Sequence, residues 1–301
     1  MSAKKITGFI LAVFMTATVF TGCNNTGNGT STPGGNNSGA STPANLSGTV
    51  KTGGSTSVEK VMEKLIEQFE DDNGSVKIEY EGNGSGDGIV NTKSGLYEVG
   101  HSSRELKKDG SEDGLDEIPY AIDGIAVVVH KDNPVQNLTK QQIFEIYTGV
   151  VKNWKDVGGN DAPITVITRE AGSGTRSAMA DIIGLEKKVD GVVTESTKIW
   201  KDANEAGNTG AVQTQVSGNK NAIGYMSFSD VNPAEVKMVQ YEGVEISTDN
   251  LYNDSYKLKR NFYLLKKTGS TLSPEAQAFI NFVLSEEGQT IVKNTKLLPI
   301  Q

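Results

Sequence analysis

"PITVITREAGSGTRSA", residues 163–178, runs an apolar segment into a Gly-Ser-Gly-Thr turn bracketed by Arg169 and Arg176. Pro163–Ile167 reads as a strand, and Met179, Ile182 and Ile183 beyond the turn fall at helical spacing. The stretch is therefore strand, glycine turn, helix N-terminus. A helix start leaves N–H donors unpaired and carries partial positive charge. Gly174 lets the backbone approach a bound group, Ser173 and Thr175 add hydroxyls, and Arg169 adds a planar charged fork matched to an oxyanion edge. One such loop alone is ordinarily a capped turn. Recurrence of the pattern is what raises the functional reading above that.

The pattern recurs. "GGSTSV" (Gly53–Val58) follows the strand-like "GTVKTGG" and opens a helix with Val58, Met62, Leu65, Ile66 and Phe69 on one face. "GNGSGDGI" (Gly82–Ile89) follows the alternating "SVKIEYEG" and opens another helix, while "GHSSREL" (Gly100–Leu106) follows "YEV". Aimed at one spot, several helix starts form an oxyanion cage that needs no metal. Elsewhere, "DGIAVVVH" (Asp123–His130) is apolar enough for a buried parallel strand. Thr139 caps a helix bearing Ile143, Phe144, Ile146 and Tyr147 and closed by Gly149. Ser273-Pro274-Glu275 opens a helix through Phe279, Ile280 and Val283. Strands alternating with helices give an α/β fold.

Composition narrows the function. The 301 residues are 36% hydrophobic with a formal charge of −8, and the mean hydropathy is −0.36 with a pI near 5.0. A polytopic membrane protein and a basic nucleic-acid face are both excluded. Any anion must be held by local groups against the global field. At the N-terminus, Lys4 and Lys5 precede an apolar run from Ile6 to Phe20 and small residues before Cys23. This is the layout of a secretory signal peptide over residues 1–22. Cys23 is the sole cysteine, placed where a bacterial lipobox is acylated, with Phe20 where Leu is commoner. Residues 24–45 are almost all Gly, Ser, Thr, Asn and Pro, a flexible tether from the lipid to the folded body. A plain signal peptide with an incidental cysteine, and an uncleaved anchoring helix, are the alternatives.

Taken in order behind that leader, "GGSTSV", "GNGSGDGI" and "REAGSGTR" resemble the substrate-binding lipoproteins of the bacterial phosphate-specific ABC transporter. The similarity spans Leu46 to Gln301 and includes "IFEIYTGVVKNW", "AIGYMSF" and the terminal "LLPIQ". The resemblance implies a periplasmic-binding-protein-like fold: two α/β lobes with a central cleft, joined by hinge strands. The lobes would be 46–121 with 256–301, and 122–255. It further implies phosphate ligands Thr56, Ser57, Ser85, Arg169, Ser173, Gly174 and Thr175, and an import permease as partner on the extracytoplasmic face of the cell membrane. Two departures stand out. Ser103, followed by Arg104, occupies the place where many members carry an aspartate that accepts the proton of hydrogen phosphate. Ala171 lies where many carry an acid two residues past the arginine, leaving adjacent Glu170 as the candidate to orient Arg169. Asp87 is an alternative proton acceptor.

Other chemistry finds little support. With His101 and His130 and one leader cysteine, no metal set and no cofactor are expected; His101, in a candidate ligand loop, could add pH sensitivity. There is no G-x-S-x-G and no G-x-x-x-x-G-K-[ST]. The expectation is a binding protein, not an enzyme. Another tetrahedral oxyanion (sulfate, molybdate or tungstate) and a phosphatase-like hydrolase on the same cradle are the competing readings.

Overall fold

The computed structural model describes residues 46–300. The signal peptide, Cys23 and the tether lie outside the described residues. Among the described residues no helix is long and apolar enough to cross a membrane. The chain opens with β1 (Gly48–Gly54), α1 (Glu59–Asp72), β2 (Val76–Gly82), α2 (Ser85–Ser94) and β3 (Val99–Ser102), then enters the long β4 (Leu115–His130). A second set follows: β5 (Asn137–Leu138), α3 (Lys140–Thr148), β6 (Thr165–Arg169), α4 (Gly174–Ile183), β7 (Glu186–Val189), β8 (Val192–Ser196), β9 (Asn204–Ala206), α5 (Thr209–Ser217), β10 (Ala222–Ser227), β11 (Val236–Met238), β12 (Gln240–Tyr241) and α6 (Thr248–Tyr252). The chain returns through β13 (Lys259–Lys267) to α7 (Pro274–Leu284), α8 (Glu286–Asn294) and β14 (Leu298–Pro299).

Local chemistry explains the helix ends. Thr139 caps α3 and Gln142 answers it in a capping box, with Gly149 closing the helix in the left-handed conformation. Ser273 caps α7 with Pro274 in its first turn. The apolar stripe of α1 buries Val61, Met62, Leu65 and Phe69, and Phe69 meets Phe279 of α7 edge-on at 5.3 Å.

The main sheet has the order β2-β1-β3-β13-β4-β10-β6-β9, with β11 and β14 also pairing with β4. It serves two large hydrophobic cores and a small third cluster of Ile89, Leu115, Tyr263 and Leu265. Val50, Leu65, Ala121, Phe262 and Phe279 belong to the first, and Ile125, Tyr147, Ile167, Tyr225 and Leu258 to the second. The changeover falls at residues 122–124 on β4 and 259–261 on β13, which pair there antiparallel. These two strands cross between the halves.

The expectation of a parallel strand at Asp123–His130 is overturned. β4 runs antiparallel to each of its partners β10, β11, β13 and β14. An apolar run reports burial of both faces, and burial does not specify strand direction. Here the burial comes from a crossing strand enclosed by both cores. Within the main sheet the parallel pairs are β1 with β2 and β3, and β6 with β9 and β10. Their C-terminal ends feed the glycine loops.

Candidate functional site

β1, β2 and β6 each end in a Gly/Ser/Thr turn that starts a helix, as the sequence predicts. The starts of α1 and α2 have no side-chain cap on their N–H groups, leaving donors for an incoming anion. Gly54, at φ +136°, leaves no room for a Cβ against the His101 carbonyl, so β1 can turn only through glycine. Around these turns Thr56, Ser57, Ser85, Ser103, Ser173 and Thr175 are all buried.

Arg169, at the end of β6, is 1% exposed. Glu170 takes its Nε and Nη2 at 2.7 and 2.8 Å. The Glu170 side chain is 21% exposed. An unpaired buried guanidinium would cost several kcal/mol, so this neighbour answers what Ala171 left open. Nη2 also donates to Thr56 Oγ1 at 3.0 Å, and Nη1 to Thr209 Oγ1 at 3.2 Å. Tyr225 backs the strand end, its hydroxyl accepting from Arg169 N at 3.3 Å and bonding to Thr168 at 3.0 Å.

The hydroxyls converge. Ser57 Oγ lies 2.7 Å from Thr175 Oγ1 and 3.3 Å from Thr209 Oγ1. Ser55 Oγ donates to Ser103 Oγ at 2.8 Å, and Ser103 Oγ lies 3.2 Å from Ser85 Oγ. Gly174 faces that last pair so closely that a Cβ would collide with both hydroxyls. Ser173 is brought alongside but is engaged in capping α4, accepting from Arg176 N at 3.2 Å. Gly86 N donates to Gly172 O at 2.9 Å, joining the second and last glycine loops by backbone alone. The eight expected ligand residues thus meet at one place, where the two halves touch.

Two buried neighbours were missed in the sequence. Thr209 begins α5 after β9, and Ser55 sits inside "GGSTSV". Thr209 is a fourth strand–turn–helix start; β9 is only three residues long and shows no alternation. The Gly-Asn-Thr-Gly at 207–210 was the available signal.

Other candidates lie elsewhere. Arg104 is forked onto Glu112 at 2.8 and 2.7 Å. Arg176 donates to the Arg169 carbonyl at 2.7 Å and pairs with Glu205. Both arginines line a cavity of about 770 Å³ beside the cradle, to which none of the hydroxyl ligands contributes. Asp87 is exposed. His101 is buried beside the first loop, and burial pushes its pKa down to about 3. Thr52 donates its one hydrogen to Val99 O at 2.5 Å, so it accepts from His101 Nε2 at 2.6 Å. His101 is therefore neutral at physiological pH, which removes the pH-sensing role considered for it. Among the described residues no group of three or more His, Cys, Asp or Glu could hold a metal.

The cradle pairs one buried guanidinium with neutral hydroxyls and helix starts, and among the described residues no carboxylate but that of Glu170 bonds to it. Such a site takes a small tetrahedral oxyanion and offers no nucleophile with a basic partner.

The profile of the PBP superfamily domain matches residues 39–287, which gives the class of the fold. Among solved structures, a Clostridium perfringens protein described as a phosphate ABC transporter substrate-binding protein, with phosphate bound, is 42% identical over 84% of this chain and all of that one, with a TM-score of 0.77. An ABC-type phosphate transport receptor from Vibrio cholerae is 32% identical over 83% of this chain and all of its own, with a TM-score of 0.68. The phosphate-binding protein PstS of Staphylococcus epidermidis is 30% identical over 85% of this chain and 80% of its own length. The chain belongs to the phosphate-binding protein PstS family, within the PBP superfamily. These relatives are named for binding and transport, not for catalysis.

Proposed function

We propose that this protein captures inorganic phosphate outside the cytoplasm and hands it to an ABC import permease. The observation that carries the reading is Arg169, buried and held at both edges of its guanidinium among the hydroxyls of Thr56, Ser57, Thr175 and Thr209. Thr56, Ser57, Ser85, Ser103, Arg169, Ser173, Gly174 and Thr175 are the proposed phosphate ligands, joined by Thr209. Residues 46–121 with 256–301 and residues 122–255 act as the two lobes, rotating about β4 and β13. Phosphate bonds to both at once and so favours the closed arrangement.

Calorimetry tests this directly. Arg169→Ala is expected to weaken phosphate binding by at least about a hundredfold, as loss of a buried charge-assisted partner implies. Unchanged affinity in that variant overturns the site. A thermal-shift panel of phosphate, sulfate, molybdate and tungstate identifies the oxyanion, and a larger shift with any ion other than phosphate reassigns the ligand.

Cys23 supplies the membrane anchor in this reading, by acylation. Cys23→Ala should move the protein from the membrane fraction to the soluble one. Retention in the membrane would favour an uncleaved N-terminal helix instead.

A further inference from the structure

Away from the anion cradle, a second polar cluster occupies the place where the strands cross. β4 supplies Asp123 and β13 supplies Arg260, both buried. Arg260 Nη2 and Nε donate to Asp123 Oδ2 at 3.0 and 3.3 Å, and Ser227 Oγ donates to Asp123 Oδ1 at 2.9 Å. The chain then turns through a short 3₁₀ helix, Phe228–Asp230, which belongs to the second half and reaches the first. Lys60 of α1 donates to the Ser229 carbonyl at 2.8 Å, and Lys296 lies 5.6 Å from the Phe228 ring. Inside this clasp, Asp230 Oδ2, Arg260 Nη1 and the Tyr120 hydroxyl are enclosed without a hydrogen-bond partner among the described residues. Buried polar atoms of this kind are costly unless something changes their charge or hydration.

The charged and titratable groups facing Asp230 come from each packed element: Asp123 on β4, Arg260 on β13, Lys60 and Glu59 on α1, and Tyr80 on β2. Burial first, then the nearby Asp123 charge, outweigh Lys60 and Arg260 and push the Asp230 carboxyl up to about 8. Arg169 is among the cations that press on Arg260, so the cluster lies within electrostatic reach of the anion cradle.

We propose that Asp230 couples closure of the two halves to uptake of one proton: the Phe228–Asp230 turn docks on α1 with Asp230 as a neutral acid and swings away with it as a hydrated carboxylate. The inference rests on the proposed reading for the closing motion of the two halves and, in its calorimetric arm, for phosphate binding. In the separated state Asp230 meets water and returns toward the ordinary carboxylate range. The closed form thus binds a proton more tightly than the open form. Closure is strongest at acid pH, weakens as pH rises through the interval between the two values, and stops weakening once the closed form has also lost the proton, near 8. Alkaline surroundings therefore favour release and acidic ones favour retention.

The test compares the full-length protein with Asp230→Asn, which keeps the shape and cannot ionise. The dissociation constant for inorganic phosphate is measured from about pH 5.5 to about pH 9 in both, and their ratio cancels the titration of phosphate itself. The wild-type to variant ratio should climb with pH, approaching about tenfold per pH unit below 8, and level off above it. A ratio independent of pH overturns the coupling. Small-angle scattering of the ligand-free proteins supplies an arm that needs no anion: the wild type should become more compact as pH falls through the same range, and Asp230→Asn should not. If neither protein binds phosphate, the phosphate reading falls and the scattering alone decides the coupling. Should Asp230→Asn fail to fold, Asp230→Ser serves the same comparison.

Discussion

Ser103 shows how much one residue decides in the cradle. Its hydroxyl accepts from Ser55 and stands beside Ser85, so it can meet a P–OH as an acceptor or an unprotonated oxygen as a donor. In the proposed site, with no carboxylate at position 103, discrimination between hydrogen phosphate and sulfate would rest on a neutral hydrogen bond worth about 1 kcal/mol. Ser103→Asp should raise the ratio of phosphate to sulfate affinity by about tenfold or more, because a carboxylate accepts the phosphate proton more strongly and repels sulfate; competition calorimetry with the two anions checks it, and an unchanged ratio refutes it. His101 supports a second prediction. Its folded pKa of about 3 lies far below the ordinary imidazole value. The unfolded chain therefore takes up the proton first, and stability contributed by neutral His101 falls as pH drops from about 6.5 toward 3. Urea melts at about pH 7 and about pH 4 should show a smaller acid loss in His101→Gln than in the wild type. At this scale the sequence was informative wherever a side chain's partner lay close along the chain, as with Glu170 beside Arg169. It was silent where the partner is distant, as with Thr52 and His101 or Glu112 and Arg104.

At the scale of elements, the strand–turn–helix units were legible because their signals are local: alternation in "SVKIEYEG", the stripe of α1, the cap at Thr139. Thr139→Ala should lower stability by about 1 kcal/mol through loss of the capping box. It should leave phosphate affinity unchanged, because the Thr139 side chain bonds to Gln142 at the far end of α3 from Tyr147, the residue that packs on Tyr225 behind the cradle; thermal melts paired with calorimetry separate the two effects. Direction and pairing were not legible. The apolar run of β4 looked the same whether parallel or crossing, and Tyr120 bulges out of register, with Pro119 and Ala121 facing Tyr263 and Phe262 in turn. The start of α5 escaped notice because β9 is too short to show a period.

Over the whole molecule, the two cores share their strands. β4 leaves the first core at Ala121 and enters the second at Ile125, and β13 makes the reverse passage between Leu258 and Phe262. Neither half keeps its sheet without the other, so heat should unfold residues 46–300 in one calorimetric transition. Phosphate at about a hundred times its dissociation constant should add about 2.7 kcal/mol to stability, and Arg169→Ala should abolish that increment. Two resolved transitions would mean the halves melt separately.

The shared strands also govern the order in which the chain can be completed. Strands β1 to β3 sit in the sheet beside β13, and their core is filled by Phe262, Phe279 and Val292 from the last stretch of sequence. A ribosome that has released residues 46–258 has emitted only part of the first half and all of the second. Residues 48–102 must wait for residues 262–292, so long-range pairing in the first half is deferred until that stretch has been made. The first half therefore stays without its core partners long after its own opening strands have been made, while the second half already has its full set of residues.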